Sequence, residues 1–171
     1  MFLDFDFDKE GQLTDSKFFG EIALPSNLIE KGFFGSDELF VCQINLSQLN
    51  EKMPLNFLPK SGVMCFFIDF KKKPFKGIVR LFNLDELDGF TTFNEDFDCF
   101  ENVIDEILVE FTEEETYCQC FFDYDNDKFC LLKVEYFADE PILPIYSNVY
   151  FLIDKTNLKN CDFSKIELKI E

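Results

Sequence analysis

LFVCQINLSQLNEKMPLNFLPKSGVMCFFIDF, residues 39–70, reads as strand, short capped helical turn, loop and strand, and the rest of the chain is organised around it. In the first strand Phe40, Cys42, Ile44 and Leu46 fall on one face, while the other face turns polar at Gln43 and Asn45. In the second, residues 63–70 are apolar on both faces until Asp69, the pattern of a strand buried on both sides. Between them Asn45 or Ser47 caps a single turn, SQLNEK, before Pro54 and Pro59 stop it.

Working outward, residues 2–8 alternate strictly, Leu3, Phe5 and Phe7 against Asp4, Asp6 and Asp8, and predict an edge strand with one solvated carboxylate face. The same aspartates match the start of an EF-hand loop, but Lys9 stands where that loop needs glycine and Asp15 falls at its twelfth place. Asp123, Asp125 and Asp127 fail the same test at Lys128 and Val134, and read instead as the turn of a hairpin between 116–123 and 129–137. Neither run is a metal site on this reading. A strand is expected at 77–82, another at 148–153, a capped turn at 156–158, and a last strand after Phe163. One principal helix is expected over 95–111, because Phe97, Phe100, Val103, Ile104, Ile107, Leu108 and Phe111 recur at three and four.

Composition bounds the rest. The 171 residues suffice for one domain with a sizeable core, and 47% apolar residues argue for packing rather than disorder. Phenylalanine occurs 25 times in a chain without histidine or tryptophan, with a single arginine, Arg80. The bias resembles AT-rich coding, and the rings read as core filling rather than a binding platform. The start MFLDFDFDKE shows no basic leader or apolar h-region, and every apolar run is shorter than the ~20 residues of a membrane span. Seven scattered cysteines without a CxxC predict reduced thiols and a cytoplasmic protein with no membrane association.

Ile44-Asn45-Leu46-Ser47-Gln48-Leu49 and Ile153-Asp154-Lys155-Thr156-Asn157-Leu158 echo each other: strand end, Asx residue, then a turn closed by leucine. The echo points to two related β-rich halves, about 1–83 and 84–171, within one domain. SKFFGEIALP, FVCQINLSQL, FLPKSGVMCFFIDF, FCLLKVEY and VYFLIDKTNLKNCDFSKIELKI resemble the YwqG-like family, a bacterial domain of unknown function. The resemblance covers 13–82 and 129–170, and implies a single α+β domain over 1–171 built of two structurally similar halves. It brings no established activity, and an association of some members with toxin gene clusters. The chain departs from the family at Phe19-Gly20, where a Gly-Gly pair is usual, and at Ile145-Tyr146-Ser147, where a Trp-Gly-Asp turn is usual.

The fold class expected is therefore α+β, mainly antiparallel and β-rich, with the one helix and short capped turns. The lack of histidine excludes Ser-His-Asp and Cys-His catalysis and any histidine-ligated metal, and isolated glycines form no phosphate loop. No cofactor is expected. Residues 81–127 carry sixteen acids and no lysine or arginine, so they hold nearly all of the net charge of −18. Nucleic acid would be repelled at a pI near 4.2. The expected function is a non-enzymatic, acidic protein-binding module of immunity or regulatory type, engaging a basic partner through this segment. Its expected contact residues are Asp98, Glu101, Asp105, Glu106 and Glu110, on the solvent side of the helix. A carboxylate-dependent hydrolase stays open as an alternative. So does a self-associating domain in which the basic loop at Lys71, Lys72, Lys73 and Lys76 meets the acidic face of another copy.

Overall fold

The computed structural model describes residues 1–31, 38–92, 106–136, 143 and 145–171. The chain runs through β1 (Phe2–Asp6), β2 (Lys17–Phe18), β3 (Glu21–Leu24), α1 (Ser26–Glu30), β4 (Glu38–Asn45), α2 (Leu46–Lys52), β5 (Val63–Asp69) and β6 (Lys76–Phe82). A 3-10 turn at Leu84–Glu86 follows, then β7 (Gly89–Thr92), β8 (Ile107–Thr112), β9 (Cys118–Asp123), β10 (Lys128–Val134), β11 (Val149–Asp154), α3 (Lys155–Lys159) and β12 (Glu167–Ile170). Ten strands make one antiparallel sheet in the order β12-β11-β10-β9-β1-β8-β2-β4-β5-β6. The sheet curls until its two edge strands lie side by side, a nearly closed barrel. The pair β3–β7 forms a separate small sheet.

The segment 39–70 behaves as its pattern demands. Met64, Phe66 and Ile68 of β5 enter the large cluster inside the barrel, where Phe66 meets Phe151 edge to face at 5.3 Å. Val63, Cys65 and Phe67 enter a second cluster outside it with Ile22, Leu24, Phe40 and Phe82, covered by β3, β7 and α1. All six are fully buried, and each side chain removed from water contributes on the order of 1.5–3 kcal/mol. β4 departs from simple alternation. A bulge between Phe40 and Cys42 shifts the register, so Phe40 faces the outer cluster while Cys42 and Ile44 face the barrel interior. An extra residue in one strand flips every side chain beyond it, which alternation alone cannot reveal.

α2 starts where the sequence places it. The Asn45 side-chain oxygen accepts from the N–H groups of Ser47 and Gln48, so Asn45 is the cap and Ser47 lies inside the helix. Asp154 occupies the corresponding place before α3. Both helices return the chain to an antiparallel neighbour, β4 to β5 and β11 to β12, so the sequence echo marks a repeated strand–helix–strand unit. The strands of 1–83 and 84–171 nevertheless interleave in one sheet, with β8 between β1 and β2.

Two expectations are corrected. β1 is no edge strand: it lies between β8 and β9, because an alternating pattern specifies faces and says nothing of the number of neighbours. The expected helix over 95–111 lies outside the described residues for 95–105, and its last part is strand β8. Ile107, Val109 and Phe111 alternate with Leu108, Glu110 and Thr112, and the ladders to β1 and β2 select period two over the helical spacing that 107, 108 and 111 also satisfy. Among the described residues, no helix is long and apolar enough to cross a membrane.

Candidate functional site

The acidic surface that can be described is a sheet face. Asp4 of β1 and Glu110 of β8 are register partners and both are exposed. Like charges directly opposite in an antiparallel pair are destabilising where no counter-ion relieves them. Asp6 and Asp8 continue the face, and Glu113, Glu114 and Glu115 follow β8 in an exposed turn. Phe7, just past the end of β1, is 72% exposed and lies with its ring 6.1 Å from that of Phe5. Lys9 is the local counter-charge, its Nζ 2.8 Å from Glu110 Oε1. That hydrogen bond holds the Glu110 carboxyl below its ordinary range and raises the Lys9 amine.

Of the residues expected to contact a partner, Asp98, Glu101 and Asp105 lie outside the described residues. Glu106 and Glu110 are described but share no helix: Glu110 is in β8 and Glu106 immediately precedes it. Glu106 is engaged within the fold. Its Oε2 lies 2.6 Å from Nζ of Lys17, a lysine with no exposed side-chain surface. Gly20, at φ +71°, makes room, since a Cβ there would stand 2.7 Å from Glu106 Cβ. Phe19 shares the left-handed backbone at φ 54°, a conformation that strains a bulky side chain.

The QINLSQ motif holds the segment leading to β2. Gln43 donates to the carbonyls of Leu13 and Asp15, Asn45 to that of Thr14, and Gln48 accepts from both N–H and Oγ of Ser16 while donating to Asp15. These residues act as fasteners rather than reactants. Five thiols, at Cys42, Cys65, Cys118, Cys120 and Cys130, are equally committed to packing, while Cys161 is exposed. Burial pushes Cys65, Cys120 and Cys130 up to about 12 and raises Cys42 and Cys118 as well, away from the thiolate needed for attack or metal binding. The 123–127 turn uses its acids locally. Asp125 Oδ1 accepts from the N–H groups of Asp127 and Lys128, and Asp123 pairs with Lys155 at 2.6 Å.

A second feature lies along β6. A cleft of about 610 Å³ is lined by 76–81 on one wall and by Cys161, Phe163 and Ser164 on the other, with Glu38, Asp69 and Lys72 beside it. At its floor Arg80 reaches Glu38 with both nitrogens, at 2.8 and 3.1 Å, over the ring of Phe67. Asp69 is 3.4 Å from Lys72. The carboxylates here face cations instead of each other, so they do not form an acid–base pair. No family model matches the chain, and no curated protein matches it either.

Proposed function

We propose that the protein is a non-enzymatic protein-binding module of immunity or regulatory type, which presents an acidic sheet face to a basic partner. The observation that carries this reading is the register pairing of Asp4 with Glu110 on the exposed side of β1 and β8. Two carboxylates side by side gain long-range attraction for a cation-rich surface, with Lys9 offsetting part of their mutual repulsion. Phe7, exposed between Asp6 and Asp8 in the chain, offers an apolar group to a partner, and its ring face can receive an arginine or lysine. The raised thiols and the cation-paired carboxylates of the β6 cleft favour binding over catalysis. The resemblance to YwqG-like domains belongs to the same proposal, supported by the repeated strand–helix–strand unit.

The test is an affinity measurement on a partner isolated from the native host. Wild type and the triple variant Asp4→Asn/Asp6→Asn/Glu110→Gln are compared by calorimetry at low and physiological salt. The triple variant binds at least tenfold more weakly, and wild-type affinity falls as salt rises while that of the variant changes little. Equal affinities for the two proteins would show the acidic face to be solvated surface only.

A further inference from the structure

We infer that the cleft beside β6 is a docking site for an extended peptide of a partner protein, in which acidic and apolar residues alternate. β6 is one end of the ten-stranded sheet, and among the described residues no backbone ladder joins its outer edge to β12 or to the turn across the cleft. The barrel closes there by side-chain contact. Gly77 lets β12 approach, since a Cβ would stand 3.1–3.3 Å from Ile166, Phe151 and Leu168. From Ile78 toward Leu81 the facing chain is the turn carrying Cys161, Phe163 and Ser164, and between them lies the cleft. An edge strand facing a cleft is a template for one more strand, whose backbone continues the ladder and whose side chains point alternately to the two sheet faces.

The residues of β6 fix what those side chains must be. On the outer face stand Lys76, Ile78 and Arg80, with Lys72 beside them; on the inner face stand Val79 and Leu81, with Phe163 opposite. Glu38 and Asp69 are each held by a cation, Arg80 and Lys72, whereas Lys76 makes no ion pair among the described residues. Lys71 and Lys73 flank Lys72 in the sequence, in a chain of net charge −18. An added strand therefore meets Lys76 and the Lys72–Asp69 and Arg80–Glu38 pairs with one row of side chains, a lining with one cation in excess, and apolar surface with the other. This surface is separate from the acidic face of β1 and β8, and its test does not depend on that face.

The experiment uses the whole chain, labelled with ¹⁵N, and three capped heptapeptides. One alternates glutamate with valine, one alternates lysine with valine, and one is the glutamate peptide with N-methylated valines. The glutamate peptide shifts the amides of 76–82 and 163–166. The lysine peptide does not, and N-methylation, which removes ladder donors, weakens binding. Lys72→Glu/Lys76→Glu weakens the glutamate peptide about tenfold. Ser164→Trp, on an exposed turn, fills the cleft and abolishes the shifts while the remaining spectrum stays that of the folded protein. The inference is overturned if the glutamate peptide leaves those amides unmoved at millimolar concentration, or if the lysine peptide moves them equally. It is overturned too if sedimentation shows a second copy already covering β6.

Discussion

Glu106→Gln separates a structural carboxylate from the surface ones. Lys17 is wholly buried and its ammonium meets Glu106 at 2.6 Å, while about a third of the Glu106 side chain, 32%, remains exposed. Removing one member of a fully buried pair costs about 3–5 kcal/mol, because the remaining charge stays desolvated. Discounting for the exposed third leaves about 2–3 kcal/mol. For a chain of this size that lowers Tm by roughly 5–10 °C. Urea denaturation of wild type, Glu106→Gln, Lys17→Met and the double variant measures it. The double variant should recover at least half of the loss, since an apolar side chain needs no counter-ion. Glu110→Gln, at an exposed pair, should stay within about 0.5 kcal/mol of wild type. A Glu106→Gln protein as stable as wild type, or a double variant no better than the single, would refute the argument.

Three further outcomes are expected. Gly20→Ala destabilises by about 1–3 kcal/mol in the same denaturation assay, because φ +71° strains an alanine and its Cβ meets Glu106 at 2.7 Å. Asp125 has its folded pKa lowered by the N–H groups of Lys128 and Asp127, so its contribution is present above the ordinary carboxylate value of about 4 and disappears as pH falls through the lowered value. Asp125→Ala should therefore melt below wild type at pH 7, with the gap narrowing in scans below about pH 4. In native protein a thiol-alkylating reagent followed by peptide mapping should label exposed Cys161 and spare Cys42, Cys65, Cys118, Cys120 and Cys130 until the chain unfolds.

What the sequence disclosed and what it withheld divide along a physical line. Local chemistry was legible: Asn45 as a helix cap, the Asp123–Asp127 turn between β9 and β10, and burial of β5 on both faces all follow from neighbouring residues. Partner strands were not legible. The alternation of residues 2–8 identified a carboxylate face, but only the ladder to β8 sets Asp4 opposite Glu110 and removes β1 from the edge. The same gap explains the helix expected through Phe111. A segment that satisfies both periods locally is decided by which strands lie beside it, and those are about a hundred residues away in sequence.

The candidate site was legible to the same degree. Counting acids in 81–127 found an excess but could not sort it, because a carboxylate's role depends on which cation the fold brings to it. Glu106 and Glu110 are four residues apart and chemically alike. One closes over a buried lysine from β2, and the other stands in solvent beside Lys9. Conversely, Asp4 and Asp6 lie outside the acidic segment and yet complete its described surface, since β1 runs alongside β8. The charge map that bears on binding is thus a property of the sheet order. The face is made by two strands about a hundred residues apart in the chain, so a fragment comprising residues 81–127 alone would carry the charge without presenting the face.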